Sequence, residues 1–541
     1  MPIFSSFFPY YRSAIASVYR NNSGPFPMVR ADLLLRRANL IAMTRRWFVI
    51  ALVWLIHFVV TPNTIQSQSS HRATASTTQF DPQPWLEDFQ QLTDAMASHY
   101  ADLEWATYER RMDLPSLRQD TEKRLRQAGD EQAAHRVFEK FLDSFGDGHL
   151  SIAWPKPVDS SPVTETKAEG TLCGRLGYKA SSAPGIDFSL LPGFRTLGGK
   201  GSELFSGGLL TLQNGIKLGL IRIALLNEHA FPEECEQAAL EMRLADEGKC
   251  DEHCEHDIAL GTANRLTAEI VKRAQQFRGV GASALLVDVT DNDGGSDWNE
   301  AVVRSLSSVP LVEDRRGFIK HEHWTTELEI QLRDVEADLK SGAEPKAVLE
   351  EAATRLRSAI ARGKESCDRS FTFRAGKLDC SLVVDDILFW SGVLPYAKPG
   401  SFASFESRTT LFHPLQYEYS EDAHRLPLYV AVDRHTWSSA ERFASLLQDN
   451  GAATIVGELT GGAGCGFTNG GIPTTLTHSR AQVKMPDCVG LRKDGSNGND
   501  GVTPDILVPW ASRDTPFTKA SKLLRALEES ANHRSRKNWA E

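Results

Sequence analysis

DRHTWSSAERFASLLQDNGAATIVGELTGGAGCG, Asp433 to Gly466, is the stretch from which the rest of this chain is read. The apolar run before it, Leu428 to Val432, predicts a buried strand. A turn carrying Ser438 and Ser439 follows. Ala440, Phe443, Ala444 and Leu447 then recur at the three-and-four spacing of a helix with one buried face, which Asn450 and Gly451 close. Ser438 therefore falls at a helix start. Unpaired backbone N–H groups and the positive end of the helix dipole suit an attacking oxygen there, and the oxyanion that it creates. Taken alone, a serine before a helix is an ordinary N-cap.

The stretch as a whole resembles the S41 peptidases, the tail-specific or C-terminal processing family. Ser438 stands three residues before Glu441, and Gln448 with Asp449 and the loop Gly457 to Thr460 follow without a gap. The resemblance implies that Ser438 is the nucleophile. Members with a Ser/Lys dyad carry their lysine just after this loop, where this chain has Ala463. The resemblance is therefore to the tricorn-like Ser/His branch, whose base is a histidine from far upstream.

Asp147, Gly148 and His149, within SFGDGHLSI, resemble the D(G)H signature of that branch. This implies His149 as general base, because a neutral imidazole near pH 7 can accept the Ser438 proton and return it to the leaving amine. Asp147 is assigned to the turn, without a catalytic role. A third likeness lies in DVTDNDGG, Asp288 to Gly295, where a buried strand opens into a glycine turn. It implies an oxyanion-hole donor at Gly294 or Gly295, with the Ser439 amide as the second. Gly501 to Asp505, GVTPD, resembles the close of S41 cores. The family's orienting glutamate lies three residues before that first glycine, and here the position is Gly498. Asp500 is the first candidate to replace it. Asp494, Asn497 and Asn499 are the alternatives in the same loop.

The implied fold class is α/β, a crotonase-like ββα-spiral protease core with an N-terminal helical domain and a helical insertion. Residues 80–153 form the helical domain: Trp85, Phe89, Leu92, Met96 and Tyr100 share one face, and a second amphipathic helix holds Val137, Phe138, Phe141 and Leu142. Residues 154–215 read as a small β-rich or linking region, and no PDZ domain is recognisable there. The core halves are 216–311 and 403–512, and residues 513–541 are a C-terminal helix and tail. Between the halves, residues 312–402 carry a charged helix pair broken at Gly342 and Pro345. A solvated hairpin is the default expectation for the pair; a lid over the site or a dimer arm, and hence a homo-oligomer, are the alternatives.

Composition excludes some classes. With 41% hydrophobic residues, 24% charged residues and a net charge of −10, the chain is expected to be globular. It shows no basic, aromatic-interleaved patch of the kind that binds nucleic acid. Residues 1–42 look like an extension, with Met43 as a plausible start. Within 43–75, Arg45 and Arg46 precede an apolar run, residues 47–60, that is short for a bilayer span. It reads as an export signal, with an uncleaved membrane anchor as the alternative. Eight cysteines fit an oxidising compartment, periplasmic or extracellular. Proximity suggests Cys367 with Cys380, Cys465 with Cys488, and two bridges among the rest.

These readings point to an exported serine endopeptidase acting on proteins or peptides through an acyl-enzyme on Ser438, with no metal or cofactor implied. Two rivals remain: a weak or inactive binding protein that kept the fold, and an esterase or acyl transferase using the same residues.

Overall fold

The computed structural model describes residues 80–155, 170–181, 185–197, 204–244 and 250–537. The expected N-terminal extension and signal or anchor, 1–75, lie outside them. Among the described residues no helix is long and apolar enough to cross a membrane.

A seven-stranded mixed sheet forms the centre. Its strands run in the order Ile506–Leu507, Ala453–Gly457, Leu428–Val432, Ala284–Asp288, Lys217–Arg222, Gly207–Thr211 and Phe194–Thr196. The first five are parallel, and the last two join antiparallel. Parallel strands are covered on both faces and so read as continuous apolar runs, which is why LLV and YVAV carry no alternation. On one face Ile221, Val287, Val430 and Ile455 pack with Leu266, Phe277, Val302 and Phe443 from three helices. On the other, Leu220, Leu286 and Ala431 meet Trp510 and Leu523 from the C-terminal segment. The region expected as a separate β-rich linker thus supplies two strands of the main sheet.

The N-terminal helices Gln83–His99, Leu114–Arg126 and Glu131–Asp143 start at Pro82, Asp113 and Asp130. The two aspartates accept the N–H of Ser116 and Ala133 as N-caps. Trp85, Phe89, Tyr100, Phe138 and Phe141 form the core of this domain, and Leu476, Val483 and Met485 from beyond the nucleophile stretch complete it. The strand Ser151–Ala153, just past GDGH, pairs with Gln482–Lys484, which also forms the expected hairpin with Thr474–Thr475. That pairing brings His149 to the core.

The insertion is packed rather than solvated. Helices Glu322–Ser341 and Lys346–Gly363 bury Trp324, Leu328, Val335, Leu349 and Leu356 against a small sheet. In that sheet Arg315–Ile319 lies between Val383–Phe389 and Cys488–Gly490, so the insertion shares a sheet with the second core half. Gly342, at φ +78°, ends the first helix as a left-handed cap. Four disulfides are formed: Cys173–Cys235, Cys250–Cys254, Cys367–Cys380 and Cys465–Cys488. Two of them are the pairs that proximity suggested. Cys250 and Cys254, in the stretch CDEHCEH at residues 250–256, bridge each other, and no metal-holding group occurs among the described residues.

Candidate active site

Two adjacent parallel strands end side by side, and their turns build the site. Asp433 accepts the N–H of Asp291 (2.9 Å) and of His435 (3.1 Å). Thr436 Oγ1 donates to Val289 O, and the Trp437 N–H donates to Asn292 O, each at 2.9 Å. The serine turn and the glycine turn are therefore sewn together. Ser438 opens the helix Ser438–Asp449 with φ +52°, a left-handed value that a non-glycine residue adopts only under constraint. The helix's N-cap is Trp437, which makes no side-chain cap bond. Ser438 is thus not the N-cap that a lone serine would suggest.

His149 Nε2 lies 3.2 Å from Ser438 Oγ, across 289 residues of sequence. Gly148 makes this approach possible: a Cβ there would fall 2.5 Å from Trp437 Cζ3, and one at Gly461 would fall 2.1 Å from Trp437 Nε1. The indole slots between the two glycines. Gly466 and the edge of Phe467 border the imidazole, with the Phe467 ring centroid 5.9 Å away. Burial pushes the His149 pKa down, and the Asp147 charge opposes that shift. The ring is therefore neutral at pH 7, as a base must be.

Both predicted oxyanion turns lie beside Ser438, but their donors differ. The Gly294 N–H donates to Asn292 Oδ1 at 2.9 Å and the residue is buried. Gly295 is exposed, and its N–H and that of Ser439 make no hydrogen bond among the described residues. Gly295 and Ser439 also line the cleft that holds Ser438 and His149. Gly294 has a steric duty instead, since a Cβ there would lie 2.8 Å from Ser438 Cβ.

Asp500 does not reach the histidine. It is exposed, and its Oδ1 accepts the Trp105 indole N–H at 2.9 Å. His149 Nδ1 is buried without a hydrogen-bond partner. The loop around Gly498 turns Asp500 outward because Asn497 and Asn499 take the buried positions, with the Asn497 amide donating to Asp102 at 2.8 Å. The group whose charge acts on His149 is Asp147, which was assigned to the turn alone. Its Oδ1 accepts the His149 N–H at 2.9 Å, and its Oδ2 accepts the Tyr100 hydroxyl at 3.0 Å. The Asp-x-His spacing was the available signal; nothing local pointed to Tyr100, 47 residues away.

Glu441 acts as a clamp. Buried in the helix, it accepts the Thr460 hydroxyl and the N–H groups of Gly462 (2.9 Å) and Ala463 (2.7 Å). Ala463, at the position that the resemblance gives to the lysine of Ser/Lys members, is buried, and no lysine lines the cleft among the described residues. The cleft measures about 550 Å³. One wall comes from the insertion, through Trp324, Leu388 and Trp390, so the helix pair helps to enclose the site.

Residues 258–508 match the family model of peptidase family S41. A Chlamydia pneumoniae protein, CPj1016/CpB1054, is 30% identical over 153 residues, 26% of this chain. The chain spans about a quarter (23%) of that relative's length. Among solved structures, mature CPAF aligns at 16% identity over 83% of this chain and 96% of its own, with a TM-score of 0.51. A crystal structure of a CPAF mutant aligns over the same shares at 16% identity, with a TM-score of 0.52. The likeness to S41 peptidases holds for the matched segment, and the fold is that of an S41-type crotonase-like core.

Proposed function

We propose that this chain, whose residues 258–508 carry the S41 match, is a serine endopeptidase acting on proteins or peptides. The observation that carries the reading is the 3.2 Å approach of His149 Nε2 to Ser438 Oγ, at a strained serine that opens a helix. Ser438 Oγ attacks the scissile carbonyl as its proton passes to His149. The oxyanion is received by the open N–H groups of Gly295 and Ser439 at the positive end of the helix. His149 then protonates the leaving amine, and water releases the acyl-enzyme by the reverse proton path. Four disulfides favour a chain that works outside the reducing cytosol.

The unpartnered Nδ1 of His149 favours a second reading, a weak enzyme or a binding protein on the same fold. Loss of an orienting acid typically lowers turnover by about 10⁴ without abolishing it. A fluorophosphonate probe on the purified protein from Gln79 onward, beside Ser438→Ala and His149→Ala, tests both. Labelling and casein cleavage lost in both variants is the expected result. Labelling with ester but no peptide turnover selects an esterase or acyl transferase, and no labelling of the folded parent selects the binding protein.

A further inference from the structure

With Gly498 in its loop, no acid is hydrogen-bonded to the His149 ring, yet the imidazole is not alone. We propose that Asp147 is the positioning residue that fixes the His149 turn and supports the charge that the imidazole acquires, with Tyr100 and Asn499 holding its carboxylate in place. The inference rests on the proposed serine–histidine reading and deepens it.

Asp147 is 7% exposed and is gripped from three directions. The His149 N–H binds Oδ1, while Oδ2 takes the Tyr100 hydroxyl from the end of the first helix and faces the Asn499 amide nitrogen at 3.5 Å. Asn499 is engaged through both atoms of its amide. Its Oδ1 accepts the Gly464 N–H at 2.7 Å, and that loop runs on to Gly466 against the imidazole. Asn499 therefore joins Asp147 to the loop that borders the ring. When the proton moves from Ser438 Oγ to His149 Nε2, the new positive charge faces a carboxylate that already has its hydrogen bonds. Asp147 exchanges no proton in this scheme; it lowers the free energy of the ion pair by charge alone.

The other charged groups leave this role to Asp147. Asp102 lies behind it, bound to the Asn497 amide, and one of its carboxylate oxygens is buried without a partner. Burial, with the Asp147 charge added, pushes the Asp102 pKa well up. Two neighbouring buried carboxyls do not both ionise readily, and the one with more donors keeps the charge. Burial raises the Asp147 pKa as well, but the His149 N–H and charge, the Tyr100 hydroxyl and the Asn499 amide oppose that shift, so of the two Asp147 is the better placed to carry the charge. Arg110 donates to Phe145 O, Glu109 and Asp500 lie on the outer side, and Lys484 sits 5.7 Å over the Phe467 ring. None of these takes a hydrogen bond from the imidazole.

The test is an NMR titration of the His149 ring in the full chain, assigned with His149→Ala, comparing the parent with Asp147→Asn and Tyr100→Phe. Asparagine at 147 keeps the acceptor for the His149 N–H and removes the charge. In Asp147→Asn the His149 pKa is expected to fall by about one pH unit. The acid limb of kcat/KM should move down with it, and kcat should drop about 10- to 100-fold at nearly constant KM. Tyr100→Phe, which removes one donor and keeps the packing, should move the same quantities in the same direction by a smaller amount; it decides the matter if Asp147→Asn does not fold. An unchanged His149 titration in a folded variant, whatever the activity, overturns the proposal. Absence of fluorophosphonate labelling in the parent counts instead against the peptidase reading, because the ring titration does not need turnover.

Discussion

Ser438 sits at φ +52°, which for a non-glycine residue costs about 1–3 kcal/mol. Glycine adopts that conformation freely, so Ser438→Gly should be more stable than Ser438→Ala by about 1 kcal/mol, read from denaturation midpoints at unchanged slope. Neither variant should label with fluorophosphonate. Gly148 has no such φ; its need is space. Gly148→Ala puts a methyl into the Trp437 indole and should cost about 1–3 kcal/mol, with slower labelling because the His149 turn moves. A pH profile gives a third check. Burial holds the His149 pKa down, so the base stays neutral below the ordinary histidine value, and the acid limb of kcat/KM should lie under about pH 6.5. Ser438 and His149, the proposed nucleophile and base, were legible as motifs. The positive φ and the indole slot were not, because both depend on which turns lie side by side.

Helix Ser438–Asp449 is held to the loop Thr460 to Ala463 by Glu441, a contact that no periodicity reveals. Helix prediction needed only the apolar spacing, whereas the acid's duty lies across a turn 19 to 22 residues later. Glu441→Ala would leave the Gly462 and Ala463 N–H groups unpaired, at a cost of about 2–4 kcal/mol in urea or thermal unfolding. Labelling should weaken as well, since the loop that carries Ala463 continues to the imidazole. The strand Ser151–Ala153 does comparable work with three residues, by pairing with Gln482–Lys484. Three residues are too few for a sequence pattern to announce. The insertion's helix pair was legible as two helices with a break, but its acceptance into a sheet with Cys488–Gly490 was not. The charged faces, read alone, favoured solvent.

The whole described chain is cross-linked over very different spans. Cys173–Cys235 closes a separation of 62 residues and Cys250–Cys254 one of 4. Loop-closure entropy puts their contributions at about 4 and about 2 kcal/mol, so paired Cys→Ser variants should rank in that order by thermal unfolding. The helical domain shares its core with Leu476, Val483 and Met485, and its removal would both delete His149 and bare that apolar surface. Much was legible in the sequence alone: the buried parallel strands, the helix that Ser438 opens, the glycine turn and the histidine motif each lie within a local pattern of apolar spacing and turn residues. Only the tertiary structure decided which N–H groups stay open for an oxyanion, that Asp500 turns to Trp105, and that Asp147 with Tyr100 and Asn499 stands behind the histidine. The physical reason is that a side chain's hydrogen-bond partner is set by the packing of distant segments, whereas an element's type is set by its own residues.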